Sequence, residues 1–503
     1  MSVPPSPGST VTSSIYEPIS AVPDHQCLSE PLLERPGGAG PEDPDYEEPT
    51  QKPATVLHSI FNVVNLFMGV GLLSLPYSFR LGGWLATPAL ALATLLFAFS
   101  GHLIVEGFRK IDSGIHSYAA LGQQACGRAG RYCVMACTLM DMFGSCAVCL
   151  IMTCKQIEGI ILLLKPTVSV LSPSQLARIL GISIAAPTIL IKSFRQLASV
   201  SLLGICCSLV VTVAVVLSAS LDPTREHTLV PPLQAPPPRH LISKSLPRSV
   251  GIFALSMTGH SALPSFRNSM HNPGRFHVVL NTAFAIMLCF NAVVSCVGYW
   301  YWGDSVSEIV MLDIALRSPL TDFPGVGILM TALVALNAFS KVPILLLVLE
   351  DLLSCALFPD KAHPPPPNLG VILKASLFVS AALLAYVGYN VLGIVMSLMG
   401  GLTSMNASVI FPSLFYLRLF WNELSALRRA GVMAVLAFAG VLSVAIISEN
   451  LLGLIEVAHH SHAEQAGGQL HQERVSQAAP ELLAYQPTCY ELVPWTVLLT
   501  QQQ

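Results

Sequence analysis

Residues Asn65 to Trp84 read NLFMGVGLLSLPYSFRLGGW. The stretch opens as an apolar helix of the kind that crosses a bilayer, then sets Gly69, Gly71 and Pro76 in its interior. Glycine weakens a helix from within, and proline removes a backbone donor. In hydrocarbon, a freed amide or carbonyl finds no water to bond. A span written this way leaves peptide groups for something else to pair.

The rest of the chain supplies a setting for that span. Of 503 residues, 53% are hydrophobic and only 11% charged, whereas soluble domains carry about a quarter charged residues. So little charge at this length implies many membrane crossings. A net charge of -3 and the absence of a basic block give no surface for nucleic acid. The opening MSVPPSPGSTVTSSIYEPIS lacks a basic segment followed by an apolar one, so the first span is expected to act as its own insertion signal. Most cysteines, Cys137, Cys146, Cys149, Cys206, Cys207 and Cys296 among them, sit in apolar runs without metal-type spacing. They are expected to pack as small hydrophobes, and neither a metal nor a cofactor is expected.

Three regions follow from composition. Residues 1–54 are rich in Pro, Ser and Glu and are expected to be a disordered cytosolic tail. The acidic dileucine-like LSEPLLERP around Glu30, Leu32 and Leu33 could meet a sorting adaptor there, or match by chance. Residues 55–456 form the transmembrane domain, and 457–503 a polar tail. Eleven candidate spans, each near the ~20 residues that cross hydrocarbon, cover 57–78, 83–107, 132–163, 175–191, 198–220, 248–267, 276–302, 323–349, 371–389, 391–417 and 431–455. Basic residues such as Arg109, Lys110, Arg128, Arg131, Arg428 and Arg429 fall in loops that share one side with the N-terminal tail, which puts that side in the cytosol and the C-terminal tail opposite.

The sixth span repeats the first. GLLSLPYSFR, from Gly71, and GHSALPSFR, from Gly259, both place glycine five positions before proline, leucine just ahead of it, and Ser-Phe-Arg after it. Five spans separate the copies, so they cross in opposite directions. Paired, interrupted, antiparallel helices mark the midplane site of inverted-repeat carriers, although small residues also serve close helix packing. Half-helix amides can hold a carboxylate, and carbonyls of the preceding half can hold an ammonium. A molecule bearing both is an α-amino acid. Asn65, Gly69, Val70 and Gly71 of the first span, with Ser256, Thr258 and Gly259 of the sixth, are the expected substrate-binding residues. Ser256 and Thr258 could equally back-bond within their helix.

FNVVNLFMGVGLLSLPYSFRLGGW, GHSALPSFRNSM and VMSLMGGLTSMNASVIFPSLFYL together resemble the amino acid/auxin permease family, in particular its vacuolar and vesicular amino acid transporter branch, over about residues 55 to 455. The resemblance implies an all-α polytopic fold of about 11 transmembrane helices: a five-plus-five inverted repeat with discontinuous first and sixth helices, then an eleventh. It also implies secondary active amino acid transport, usually proton-coupled and sometimes coupled to another ion such as sodium. The third span, CAVCLIMTCKQIEGI, is less acidic and aromatic than the family pattern, and NAFSKV in the eighth keeps Lys341 without the accompanying proline and tyrosine.

Ionisable groups within spans cost about 2.5–3.5 kcal/mol at a helix centre, so each needs a reason. Asp141 could take a proton or face a substrate amine, or sit solvated near the cytosolic entrance. Lys341 matches a family lysine and is expected to couple protons or replace a bound cation, the alternative being a chain that snorkels to the interface. His260 could titrate with a proton gradient or, kept neutral, cap freed carbonyls. No second aspartate partners Asp141 and no HExxH occurs, which argues against a membrane-embedded enzyme. The expectation is therefore a carrier of small neutral amino acids working by alternating access and driven by protons, with a non-transporting amino acid sensor as the alternative. Its partners would be the amino acid and membrane lipid, in a vacuolar or lysosomal membrane first and the plasma membrane second.

Overall fold

Helix α1 (Val56–Phe67) stops halfway across its span, and a 3-10 turn at Val70–Ser74 precedes α2 (Leu75–Gly82). These elements belong to a computed structural model that describes residues 55–67, 70–110, 117–164, 171–190, 198–221, 238–317, 324–357 and 368–483. The dileucine-like stretch and the N-terminal tail lie outside the described residues. Pro76 sits in the first turn of α2, where its missing N–H leaves no hydrogen bond unmade. The same device recurs in the sixth span. Helix α7 (Leu246–Ser256) ends, Gly259 takes φ +135°, a 3-10 turn covers His260–Ala262, and α8 (Leu263–Asn268) starts with Pro264 in its first turn. Both interruptions expected from the repeat are present.

The second to fifth spans are α3 (Ala86–Gly107), α4 (Tyr118–Leu164), α5 (Pro173–Ala185, extended by a 3-10 turn) and α6 (Ala198–Ser220). The seventh is α9 (Phe276–Trp302), followed by the short α10 (Val310–Arg317), then α11 (Pro324–Leu357) and α12 (Leu369–Gly388). The tenth combines α13 (Leu392–Met399), π-helical turns at Gly400–Ser404 and Asn406–Ile410, and α14 (Phe411–Phe420). Helix α15 (Ala426–Leu483) is the eleventh. Among the described residues six helical stretches are long and apolar enough to cross a membrane unaided. The first and sixth spans are not among them as whole helices because each is broken into halves. Leu369–Phe420, at 52 residues, holds two crossings that meet at Tyr389–Val391.

Packing sorts the spans into two groups. The first, second, sixth and seventh spans meet one another, α1 and α2 lying on α9, and α3 on both α7 and α9. The third, fourth, eighth and ninth form the other group, with α4 running along α5, α11 and α12. The tenth bridges them, α13 touching both α7 and α4. Helix α7 is buried on every side from Ser249 to Ser256, as expected of a helix apolar all round. Three boundaries differ from expectation. Helix α4 begins at Tyr118 and turns a corner at Cys126–Gly127, where Gly127 has φ +63°. Helix α11 continues past Glu350 to Leu357. Helix α15 runs through the start of the polar tail to Leu483, because polarity ends a membrane span but does not end a helix.

Candidate functional site

The two interruptions lie side by side. A Cβ added at Gly71 would stand 2.5 Å from Cβ and 2.8 Å from Cα of Ser256, so only glycine lets the 3-10 turn of the first span approach the last turn of α7. Ser256 is buried and its hydroxyl donates to Phe253 O at 2.8 Å, the back-bonding arrangement rather than one aimed at a ligand. Asn65 falls within α1 and Val70 opens the 3-10 turn. Their side chains, and the whole of Gly69, lie outside the described residues.

Beyond Ser256 the chain unwinds. The amides of Met257 and Thr258 close it by donating hydrogen bonds to the Phe253, Ala254 and Leu255 carbonyls, and Gly259 then turns the backbone through a conformation that L side chains rarely adopt. This frees the side chain of Thr258 to face the third span. Its hydroxyl donates to Asp141 Oδ2 at 2.5 Å. The other carboxylate oxygen accepts Thr403 Oγ1 at 2.6 Å and Ser404 Oγ at 3.0 Å, both from the π-helical turn of the tenth span. Asp141 is 2% exposed, so in this conformation its carboxylate is bound by protein groups. One carboxylate therefore joins the broken sixth span, the third and the tenth.

The π-turns are what present those two hydroxyls. A wide turn loosens the regular i→i−4 ladder, and such turns frequently fall at functional sites. Neighbouring side chains take carbonyls along it: Ser443 Oγ of α15 donates to Gly401 O at 2.7 Å, Cys137 Sγ to Thr403 O at 3.4 Å, and Tyr118 Oη to Ala407 O. Thr403 and Ser404 had no expected role. The available signal was a pair of adjacent hydroxyls following Gly400–Gly401 within an apolar span.

The other ionisable candidates are not in this cluster. His260 Nε2 lies 2.8 Å from Phe97 O and 3.3 Å from Ser100 Oγ, and its ring meets those of Phe67, Phe97 and Phe284. It caps a carbonyl of α3 inside an aromatic box, while Nδ1 has no partner among the described residues. Lys341 lies in α11 with the thiols of Cys149 and Cys207 as electrostatic neighbours, and it forms no ion pair among the described residues. The structure thus brings Gly71, Ser256, Thr258 and Asp141 together, while His260 and Lys341 have other neighbours.

Two spans broken side by side within a polytopic helical fold, one break tied to a buried carboxylate, are the arrangement that inverted-repeat carriers place at their midplane site. The chain belongs to the transmembrane amino acid transporter protein family, whose model matches residues 52–452. It is 25% identical over 429 residues to the amino acid transporter AVT1D of Arabidopsis thaliana, covering 82% of this chain and 74% of that one. It is 24% identical over 452 residues to the vesicular inhibitory amino acid transporter of Rattus norvegicus, covering 85% and 80%. The solved structure of MhsT in complex with L-phenylalanine has the same fold, with a TM-score of 0.52 at 12% identity over 79% of this chain and 99% of that one. The protein is accordingly an integral, multi-pass member of a family of amino acid transporters rather than enzymes.

Proposed function

We propose that the protein is a secondary active transporter of small neutral amino acids, proton-coupled and working by alternating access, with Asp141 as the principal coupling group. The observation that carries this reading is the carboxylate held by three hydroxyls from two other spans. An ionised carboxylate only accepts, so it can take all three donors. Once protonated it must donate through one oxygen, and at least one of those bonds has to be remade. Proton binding would thereby alter the tie between the broken sixth span and the third. Because Thr258 belongs to the unwound segment beside Gly71, the change would reach the substrate's surroundings directly.

A neutral substrate fits because the partners of Asp141 are hydroxyls rather than a basic side chain, and a zwitterion needs only the peptide groups of the two breaks. The printed names of the plant and vesicular relatives support amino acids as the class, and the vesicular one supports an endomembrane, which we take to be vacuolar or lysosomal ahead of the plasma membrane. Lys341 is the second proposed coupling group, as an ammonium without an ion-pair partner among the described residues. His260, fixed to Phe97 O, serves structure on this reading. A sensor on the same fold would bind amino acid without moving it.

The test is uptake of a labelled amino acid panel into reconstituted vesicles, with a pH gradient, a sodium gradient or neither. Accumulation of neutral amino acids under the pH gradient alone is expected. Binding without uptake would favour the sensor, and uptake that follows sodium while ignoring pH would overturn proton coupling.

A further inference from the structure

On the face opposite the basic loops, one short connection ties the two groups of spans. Glu308, between α9 and α10, is bound at three points. Its Oε2 lies 3.0 Å from Lys155 Nζ of α4, and its Oε1 accepts the amide of Gly393 of α13 at 2.9 Å. Its carbonyl accepts Ser74 Oγ, from the 3-10 turn of the first span, at 2.6 Å. Two residues earlier, Val306 O accepts Arg80 Nη1 of α2 at 3.0 Å. Lys155 also lies over the ring of Tyr389, 4.9 Å from its centroid, and that tyrosine's hydroxyl donates to Glu158 at 2.6 Å. The loop is thus held by the first, third and tenth spans at once.

An exposed ion pair contributes little. In this one the side chains are only 15% and 21% exposed, and the carboxylate also holds a backbone amide. We propose that Lys155 and Glu308 form a latch that keeps the non-cytosolic path shut in this conformation and must part each time that path opens. The inference rests on the alternating-access reading. Its geometric ground is that the first span cannot draw away from the third and tenth while Glu308 keeps Ser74, Lys155 and Gly393 together. Both side chains are partly exposed, so water can re-solvate them once they separate and the latch can open and close repeatedly.

Hydrogen exchange of the full-length protein in lipid nanodiscs tests this without relying on transport. Lys155→Met and Glu308→Gln should each speed exchange at residues 303–312 about tenfold while leaving 251–262 unchanged. The reversed pair, Lys155→Glu with Glu308→Lys, should restore protection to the loop but leave the amide of Gly393 fast, because lysine cannot accept its hydrogen bond. Each single variant should also bind an amino acid offered on that face severalfold more tightly, since the open state is no longer held closed. Unchanged loop exchange in the singles, or no recovery in the reversed pair, would overturn the latch. Faster exchange with unchanged or weaker binding would reduce the pair to a structural tie and overturn its gating role. Wild-type vesicles that fail to take up amino acid would count against alternating access alone, because the exchange results are read independently.

Discussion

Asp141→Asn isolates the charge while keeping the shape of the group at the centre of the site. In the native protein Oδ1 takes Thr403 and Ser404 and Oδ2 takes Thr258. The amide can keep its oxygen toward the tenth span, but its nitrogen then faces Thr258, whose hydroxyl must turn from donor to acceptor. Hydrogen bonds to charged groups contribute roughly 1.5–3 kcal/mol and neutral ones about 0.5–1.5. The tie between the third and sixth spans should therefore weaken by about 1–2 kcal/mol, a factor of roughly 5–30 in the balance between attached and detached states. The assay compares counterflow, which needs no ion gradient, with accumulation driven by a pH gradient in the same vesicles. Counterflow should survive, and stimulation by the gradient should disappear. Thr258→Val removes the donor from the other side, and a double-mutant cycle with Asp141→Asn should return a coupling energy of about 1–2 kcal/mol. Intact pH stimulation in Asp141→Asn, or strictly additive effects in the cycle, would refute the reasoning.

Three further perturbations separate the remaining roles. Gly71→Ala places a methyl against the backbone of Ser256, where no rotamer change can relieve it; a loss of about 1–3 kcal/mol is expected, read as a lower Tm together with loss of thermal stabilisation by amino acid. His260→Ala removes the bond to Phe97 O and three ring contacts, so the Tm should fall by the equivalent of about 2–5 kcal/mol, while the pH dependence of residual uptake stays the same. A variant of normal Tm that no longer responds to pH would instead make His260 a coupling group. Lys341→Met keeps the chain's length without its charge, and it should slow pH-driven uptake while sparing counterflow. Unchanged uptake would remove Lys341 from the mechanism.

The two helix breaks are legible in the sequence, because each is encoded locally by glycine, leucine and proline and then repeated five spans later. Hydrocarbon gives those positions no alternative: the freed peptide groups of Val70–Leu75 and Met257–Leu263 cannot be hidden by water, so the pattern has to mean an interruption. The same signal was silent on the tenth span, whose π-turns contain no proline between Gly400 and Ile410 and depend on Ser443, Cys137 and Tyr118 from other helices to take their carbonyls. The tie at Glu308 was equally illegible, since a glutamate in a polar connection reads as a solvated loop residue.

The sequence by itself determined a polytopic helical membrane protein with two broken spans, because composition, span length and backbone satisfaction are properties of short stretches. Only the tertiary structure shows what surrounds the ionisable residues. A lone aspartate early in an apolar helix reads alike whether it is solvated or bound, and Asp141 acquires its three donors from spans 117, 262 and 263 residues away along the chain. A histidine beside a helix break likewise reads alike as a titrating group or a carbonyl cap, and only the fold shows the aromatic box and the carbonyl of Phe97 around it. Charge in a membrane is governed by the partners that fold around it, and no local pattern names them.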